Sequence, residues 1–376
     1  MNRPVHGGNL AWAAALAGCS PSLIVDFSAS INPLGPPPSA LAAIRSHLTA
    51  LAAYPNPDYY PLRAALSQVH QLSPDWVLPG NGSAELLTWA GWELSRLDVT
   101  ALVTPAFGDY WRSLKTFDTN VLECPLADFA SFSGRNLETE ILDLGLINQK
   151  LKSLNPSRSG LLLNNPHNPT GQLFDQEAIL PYLKEFALVV VDEAFMDFLL
   201  PQKQQSLISL VEDYPNLVIL RSLTKFYSLP GLRLGYAIAH PDRLQRWQNW
   251  RDPWPVNTLA AAAGEAVIQD IDFQQQTWEW LEPTRQELFE GLAQLPGLQP
   301  YKGAANFLLV RTEQPSSQVQ KKLLQHSKIL IRDCLSFPEL GDRYFRVAVR
   351  SVAENQRLLS GLAAILDPSY KQEHGS

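Results

Sequence analysis

The sequence predicts an α/β protein with a mainly parallel central sheet and a smaller α+β domain at its C-terminal end. Apolar runs such as Ala187–Val191 and Leu217–Leu220 are continuous, without polar alternation, which indicates strands buried on both faces. Helical stretches separate these runs, as expected where helices connect parallel strands. After Asp252-Pro-Trp-Pro255 the order changes to a long helical stretch followed by mixed strands and helices. We therefore place a domain boundary near residue 255.

Residues 1–38 are predicted to be a separate segment that packs with the C-terminal domain. Within it, the apolar stretch Leu10–Cys19 has two interpretations. Leu16-Ala-Gly-Cys19 resembles the cleavage site of a bacterial lipoprotein, but the polar break His6-Gly-Gly-Asn9 favours a short buried helix over an exported segment. The stretch Ser28–Pro38 contains four prolines, which exclude a helix or a central strand and predict an extended connector.

Residues 39–255 are predicted to be the large domain. It opens with a helix over about Ser39–Leu51. Besides the two runs above, its strands are expected at Ala101–Thr104, Gly160–Leu163 and Leu232–Ala239. Ligands of parallel sheets bind beyond the carboxyl ends of the strands. The polar residues that directly follow these strands are therefore candidates for chemistry.

Residues 256–376 are predicted to be the smaller α+β domain. A helical stretch covers about Leu259–Leu295. Strand-like and helical stretches follow in the order Ala305–Arg311, Gln318–His326, Ile329–Arg332 and Tyr344–Arg350. This mixed order is typical of an α+β domain.

Composition excludes several classes of protein. Of 376 residues, 45% are hydrophobic and 18% are charged, which suits a large buried core and not a disordered chain. The net charge of 30 − 37 = −7 argues against non-specific binding to nucleic acid. No apolar run approaches the ~20 residues of a membrane-spanning helix. The three cysteines stand far apart and the histidines lack ligand spacing, so we expect no disulfide framework, no metal and a cytoplasmic location.

A glycine-serine turn at Gly82-Ser83, followed by Ala84, opens a predicted helix. Backbone N–H groups at such a helix start, together with the helix dipole, form a natural seat for a phosphate. The signal is weak by itself, because Glu85 stands where a dinucleotide-binding motif has its third glycine. An ordinary helix start is the alternative.

Three further polar positions follow predicted strands. Asn168 lies in the rigid loop Asn164–Gly171 and could offer an amide to a ligand oxygen, although a structural turn also explains the loop. Asp192 directly follows a buried run, where a carboxylate needs a cationic partner, a helix to cap or a salt bridge. Lys225 lies between a buried strand and an apolar, glycine-bearing segment. Such a lysine has a lowered pKa and can form a Schiff base with a carbonyl, whereas most lysines are simply solvated.

Two neighbours of this lysine complete the set. Ser222 and Arg233 supply a hydroxyl and a guanidinium for a phosphate group. A lysine for an imine, an aspartate for a pyridinium nitrogen and a seat for a phosphate together meet the requirements of one cofactor, pyridoxal 5′-phosphate.

The whole chain resembles the fold-type I, aspartate-aminotransferase-like pyridoxal-phosphate enzymes, in the branch of histidinol-phosphate aminotransferases and threonine-phosphate decarboxylases. The resemblance is carried by Gly82-Ser83, Asn168-Pro-Thr-Gly171, Asp192-Glu-Ala, Ser222-x-x-Lys225 and Gly231-Leu-Arg233-x-Gly235. Similarity to the decarboxylases is carried by His6-Gly-Gly-Asn9, Asp26-Phe-Ser-Ala-x-Ile-Asn-Pro-Leu-Gly35, Asp192-Glu-Ala-Phe195 and Ile329-Leu-Ile-Arg332-Asp-Cys334.

The resemblance implies a role for each matched residue toward the cofactor. Lys225 would be joined covalently to it, Asp192 would hold its ring nitrogen protonated, and Asn168 would bind its phenolic oxygen. Phe107 would stack on the ring. The cofactor phosphate would be held by Gly82, Ser83, Ala84, Ser222 and Arg233, with Tyr54 reaching it from the partner subunit of a homodimer with shared active sites.

The resemblance also implies a substrate site. Arg346 would bind the substrate carboxylate and Arg332 its phosphate, while His6, Gly7 and Asn168 would contact the substrate. Ser30 lies in the same contacting stretch, where the decarboxylases usually carry Asn. The implied activity is decarboxylation of O-phospho-L-threonine to 1-amino-2-propanol phosphate in cobalamin synthesis.

Two alternatives to this activity remain open on sequence. One is an aminotransferase of the histidinol-phosphate type, and the other is a catalytically silent relative that binds or regulates. Phe195 stands where such aminotransferases usually have Tyr, which favours the decarboxylases.

Overall fold

The computed structural model describes residues 6–126 and 154–366. Within them lie strands β1 Val25–Asp26, β2 Val77–Asn81, β3 Val99–Thr104, β4 Val121–Pro125, β5 Ser159–Asn164, β6 Leu188–Asp192, β7 Leu217–Ser222, β8 Leu234–Ala239, β9 Leu298–Pro300, β10 Phe307–Thr312, β11 Ile329–Leu330, β12 Arg332–Asp333 and β13 Tyr344–Ala348. The α-helices described are Leu10–Ala17, Pro38–Ser46, Tyr60–His70, Ser83–Leu94, Gly108–Lys115, Gln176–Glu185, Leu223–Phe226, Pro241–Trp250, Thr258–Ile268, Ile271–Ala293, Ser316–Ser327 and Val352–Leu366.

Among the described residues, the central sheet has seven strands in the order β2-β8-β7-β6-β5-β3-β4. Strands β7, β6, β5, β3 and β4 are parallel, so the predicted α/β fold with a mainly parallel sheet is confirmed. Strand β8 pairs antiparallel with both β2 and β7. The connection from β7 to β8 is a one-turn helix and a loop, which is too short for the crossover that a parallel pair needs.

Register brings the carboxyl ends of the central strands to one edge. Asn164 at the end of β5 pairs with Asp192 at the end of β6, and Asp192 pairs in turn with Leu220 on β7. Because parallel strands end together, the polar residues that follow them face one region of space. This edge carries the candidate site.

A second sheet lies in the C-terminal part of the chain. It is antiparallel, in the order β12-β13-β10-β9. Strand β1, from the N-terminal segment, pairs in parallel with β11, and the helix Leu10–Ala17 packs against Leu324 and Leu330. These contacts place the N-terminal segment against the C-terminal part of the chain. The division into residues 1–38, 39–255 and 256–376 stays a proposal.

Two predicted helices are shorter in the structure. The stretch predicted as one helix over Leu259–Leu295 forms two, Thr258–Ile268 and Ile271–Ala293. The side chain of Asp270 caps the second by accepting from the Phe273 N–H at 3.0 Å, so the aspartate begins a new helix. The helix predicted over Ser39–Leu51 ends at Ser46, with a 3₁₀ turn after it.

The apolar stretch near the N-terminus forms the helix Leu10–Ala17. Asn9 caps it by accepting from the Trp12 N–H at 2.9 Å, and Gly18 ends it with φ 62°. Across residues 6–126 and 154–366, every helix is too short or too polar to cross a membrane.

Candidate active site

A cavity of about 200 Å³ opens at the carboxyl ends of β5, β6 and β7. Of the residues predicted for the site, it is lined by His6, Gly7, Ser30, Ser83, Phe107, Asn168, Asp192, Lys225 and Arg346. The N-terminal segment and β13 contribute to its walls together with the central sheet. Residues that are far apart in sequence therefore meet here.

Lys225 lies in the short helix that follows β7. Its Nζ is 4.7 Å from the centre of the Phe195 ring. Burial lowers the pKa of the Lys225 ammonium, and the nearby charges of Arg346 and Arg233 lower it further, while Asp192 opposes them. The neutral, nucleophilic amine is therefore favoured more than in a solvated lysine.

Asp192 ends β6 and is 9% exposed. Its Oδ2 accepts from the Tyr110 hydroxyl at 2.8 Å and its Oδ1 accepts from the Ala194 N–H at 2.9 Å. Burial raises the pKa of this carboxyl, whereas the Lys225 charge and the two donors lower it. A buried carboxylate fixed in this way suits a cationic ligand atom.

Two glycines form a cradle beside the helix Ser83–Leu94. Gly82 has φ 73°, and a Cβ there would lie 2.5 Å from Nη2 of Arg233. A Cβ at Gly235 would lie 2.5 Å from the Ser83 nitrogen and 2.7 Å from the Arg221 carbonyl oxygen. Gly82, which precedes this helix, has no side chain to accept from the first backbone N–H groups, so these groups can bind an anion.

Ser222 lies next to this cradle, at the end of β7. It is 2% exposed, and its Oγ accepts from the Thr224 N–H at 3.4 Å. Ala84 occupies the first turn of the same helix as Ser83. The cradle, Ser222 and the Arg233 guanidinium fit a phosphate group bound at the rim of the cavity.

Phe107 immediately precedes the helix Gly108–Lys115. Its ring centre is 5.5 Å from that of His6 and 5.7 Å from that of Tyr110, which it meets edge-on. Burial lowers the pKa of His6, and the charge of Arg332 contributes. An aromatic face thus lies beside the lysine and the aspartate in the same cavity.

Two arginines stand side by side on neighbouring strands. Arg332 on β12 and Arg346 on β13 are paired in register, and each is 8% exposed. Arg346 donates to Asn168 Oδ1 and, at 3.4 Å, to the Ser28 carbonyl, while Arg332 donates to Ser336 Oγ at 2.6 Å. Burial and the charge of Arg332 lower the pKa of Arg346 to about 10. Two buried cations this close favour an anionic ligand with more than one charge.

Close to these arginines, Gly7 of the N-terminal segment packs tightly against Ser28. A Cβ at Gly7 would lie 2.3 Å from the Ser28 carbonyl oxygen, so only glycine fits. The Gly8 N–H donates to Ser28 Oγ at 2.8 Å, and Ser28 Oγ donates to Asp26 Oδ1 at 2.6 Å. His6, Gly7 and Arg332 line a small recess that adjoins the main cavity.

Tyr54 is placed differently from the other predicted residues. It is 78% exposed, stacks on Trp254 at a ring distance of 4.3 Å, and does not line the cavity of its own chain. A role for Tyr54 in a site would therefore need a second subunit.

Sequence reasoning did not single out four polar residues that line the cavity: Ser28, Tyr110, Asn164 and Thr224. Asn164 follows the apolar end of β5 in the same way that Asp192 follows β6, so the same signal could have found it. No sequence pattern indicated Tyr110, because which side chains of a helix face the sheet depends on how the helix packs.

Comparison with known proteins agrees with this geometry. The family model for aminotransferase class I and II matches residues 23–362. The chain belongs to the aminotransferase class I and II family. Threonine-phosphate decarboxylase of Salmonella typhimurium is 40% identical over 96% of this chain and 96% of its own length. Histidinol-phosphate aminotransferase 1 of Mannheimia succiniciproducens is 32% identical over 92% of this chain and 91% of its own length.

The fold agrees as well. The structure of histidinol-phosphate aminotransferase from Sinorhizobium meliloti, in complex with pyridoxal-5′-phosphate, has a TM-score of 0.82 at 22% identity, over 96% of this chain and 94% of that one. Aminotransferase class I and II proteins are pyridoxal-phosphate enzymes, and this chain is a pyridoxal-phosphate-dependent enzyme of fold type I.

The residues present fit that cofactor. The glycine cradle would be filled by any Cβ. Three buried atoms of cavity-lining residues, Ser30 Oγ, Asn164 Oδ1 and Arg346 Nε, have no hydrogen-bond partner among the described residues. No group of three metal-ligating side chains was found in the described part of the chain.

Proposed function

We propose that this enzyme decarboxylates O-phospho-L-threonine to 1-amino-2-propanol phosphate and CO₂, as a step of cobalamin synthesis. The observation that carries the proposal is the pair Arg332 and Arg346, two buried cations in register, of which Arg346 shares a cavity with Lys225. A substrate with a carboxylate and a phosphate matches two such cations. The 40% identical relative is named for decarboxylation of this substrate.

Residues of the large domain would hold the cofactor. Lys225 would be linked to it, Asp192 would face its ring nitrogen, and Asn168 its phenolic oxygen. Phe107 would cover one face of the ring, and Gly82, Ser83, Ala84, Ser222 and Arg233 would hold its phosphate. When bound, pyridoxal phosphate supplies an electron sink for the electron pair left at Cα.

Arg346 would set which bond breaks. Loss of CO₂ instead of a proton would depend on how the substrate carboxylate is held relative to the bound cofactor, and Arg346 would hold it. Arg346 is fixed by its bonds to Asn168 and to the Ser28 carbonyl, and it stands on a rigid strand. Arg332 and His6 would hold the other end of the substrate, which fixes rotation about Cα.

After CO₂ has left, Lys225 would donate a proton to Cα, using the proton that its amine takes up from the substrate ammonium group when the substrate binds. Its nitrogen lies in the same cavity as Arg346 and Asp192. Because burial and two arginines lower its pKa, the ammonium gives up a proton more readily than a solvated lysine does.

Product analysis tests this proposal directly. The purified enzyme with bound cofactor is incubated with O-phospho-L-threonine and no keto acid, and CO₂ and 1-amino-2-propanol phosphate are measured. We expect both in equal amounts. Absence of CO₂, with turnover of histidinol phosphate when 2-oxoglutarate is added, would overturn the proposal and favour the aminotransferase alternative. The 32% identical relative is named for that activity.

We infer that the enzyme acts as a homodimer with shared active sites. Exposed apolar side chains support this, because such side chains favour burial against a partner. They include Leu48, Leu51, Tyr54, Tyr60 and Trp254. Tyr54 would reach the cofactor phosphate of the other subunit, which explains its distance from the cavity of its own chain. Sedimentation of the wild type and of Tyr54→Phe tests the dimer, since both proteins are expected to be dimers. Measuring cofactor binding by the two proteins tests the shared site, since Tyr54→Phe is expected to bind the cofactor more weakly.

We also propose a cytoplasmic location, with a small phosphorylated amino acid and no nucleic acid or membrane as partner. Cys19, Cys124 and Cys334 are free thiols, and the last two are buried. Free thiols persist in a reducing compartment. Fractionation of cells that express the full chain would locate it.

A further inference from the structure

Tyr110 contacts Asp192 and has no part in the proposal above. Its hydroxyl donates to Asp192 Oδ2 at 2.8 Å, and the tyrosine is 2% exposed. The other carboxylate oxygen already has a donor in the Ala194 N–H. Tyr110 therefore supplies the one side-chain hydrogen bond that Asp192 receives from the described residues.

The position of the Tyr110 hydroxyl is fixed by packing. Its N–H donates to the Phe107 carbonyl at 3.0 Å at the start of the helix Gly108–Lys115, and its ring meets the Phe107 ring edge-on. The ring belongs to the buried cluster that includes Leu87, Leu102 and Leu162. Within the described residues that line the cavity, Tyr110 is the only phenol. That phenol is used on Asp192 and not on the substrate.

We propose that Tyr110 is a positioning residue that keeps Asp192 ionised and aimed at the ring nitrogen of bound pyridoxal phosphate, so that the shared proton stays on the ring. The inference rests on the cofactor and does not depend on which substrate is used. A donor to a carboxylate stabilises its charged form and weakens its affinity for a proton. Without that donor, the proton between Asp192 and the ring nitrogen moves toward Asp192, and the ring becomes a weaker electron sink.

Other charges near Asp192 set the background for this effect. Lys225 lowers the pKa of Asp192, and Asp109, on the same helix as Tyr110, raises it. Burial of the carboxyl raises its pKa more than any other influence does, and the hydrogen bond from Tyr110 opposes it.

The test measures the ring nitrogen itself. Enzyme loaded with ¹⁵N-labelled pyridoxal phosphate is titrated by NMR without substrate, so that an error in the proposed substrate cannot affect the result. In Tyr110→Phe, we expect the ring nitrogen to lose its proton at a lower pH than in the wild type. With substrate, kcat is expected to fall roughly 10- to 100-fold, while KM stays within about two-fold.

Two further proteins make the test decisive. Tyr59→Phe is the matched control, because it removes another buried hydroxyl, which donates to the Val256 carbonyl at 3.0 Å, and should leave the ring titration unchanged. 3-Fluorotyrosine at position 110 keeps the shape of the side chain but is a stronger donor, so it should move the titration to higher pH. The inference is overturned if neither change at position 110 moves the titration, or if Tyr59→Phe moves it equally.

Discussion

We propose that Arg332 and Arg346 divide the recognition of the substrate between them. The phosphate is assigned to Arg332 and the carboxylate to Arg346, and a guanidinium binds either group through two parallel hydrogen bonds. Asn168 joins this pair to the cofactor site, because its Oδ1 accepts from Arg346. Its amide N–H groups are thereby left to donate elsewhere.

We predict that Arg332→Gln removes the preference for a phosphorylated substrate. The ratio of kcat/KM for O-phospho-L-threonine to that for L-threonine should fall about 100-fold, since loss of a charge-assisted contact costs roughly 2–5 kcal/mol. Steady-state kinetics with both substrates measures the ratio. Arg311→Gln, on the same sheet, is the matched control and should leave it unchanged. An unaltered ratio in Arg332→Gln would move the phosphate site elsewhere.

The cradle between β8 and the helix Ser83–Leu94 requires glycine. At Gly235, a Cβ would collide with backbone atoms of both Ser83 and Arg221, and backbone cannot rotate away as a flexible side chain can. The absence of a Cβ at this position would leave room for the proposed phosphate.

We predict that Gly235→Ala weakens cofactor binding at least about 10-fold, because the strand and the helix start must separate. Equilibrium dialysis of pyridoxal phosphate measures this. Gly231→Ala is the control, since a Cβ there has no atom within 4 Å. Equal affinities in the two variants would argue against the cradle.

A buried ion cluster joins the ends of β6 and β7. Arg221 pairs with Glu193 at 3.0 Å, where the side chains are 2% and 0% exposed, and it also pairs with Asp197. Glu193 of this cluster directly follows Asp192, and Arg221 precedes Lys225 by four residues. It therefore ties together the two strand ends that carry the central residues.

We predict that Arg221→Met destabilises the fold by about 3–5 kcal/mol, because it leaves buried carboxylates without their cation. By contrast, Lys203→Met breaks an exposed pair with Glu282 and should cost less than about 1 kcal/mol. Urea unfolding of both variants compares them. A loss below about 1 kcal/mol in Arg221→Met would show that the cluster does not stabilise the strand ends.

Whether a strand could be predicted from the sequence depended on its position in the sheet. Strands β6 and β7 are central and read as continuous apolar runs, so they were found. Strand β2 was missed because Pro79 and Gly80 weaken a strand signal, yet β2 lies at an edge, where proline is tolerated. The antiparallel direction of β8 follows from a short connection and not from its residue pattern.

The candidate site was predictable to a similar extent. Lys225, Asp192 and Asn168 follow strands, so their meeting at one edge follows from the parallel sheet. The pairing of Arg332 with Arg346 depends on the register of two short strands in a different sheet, and the Tyr110–Asp192 contact depends on helix packing. Neither leaves a pattern in the sequence. The resemblance to known enzymes indicated both arginines, but it did not indicate that they are paired in register.

Acid should destabilise the whole molecule through a histidine that is buried without charge. His167 is 0% exposed, and burial lowers its pKa from 6.5 to about 3. Because the unfolded chain binds a proton that the folded chain does not, the stabilisation is complete above pH 6.5 and is lost as the pH falls toward 3.

We predict that this histidine contributes roughly 2 kcal/mol of the stability lost between pH 7 and pH 5, at about 1.4 kcal/mol per pH unit below its unfolded pKa. Urea unfolding at both pH values measures the loss. In His167→Gln the loss should be smaller by that amount. An equal loss in variant and wild type would mean that His167 is protonated in the folded enzyme.

Lys225 is the residue that we propose is joined covalently to the cofactor. Borohydride reduction of the enzyme with bound pyridoxal phosphate, followed by peptide mass spectrometry, tests it most directly. We predict a phosphopyridoxyl adduct on Lys225, and no adduct or turnover in Lys225→Ala. An unmodified Lys225, or an adduct on another lysine, would contradict the account.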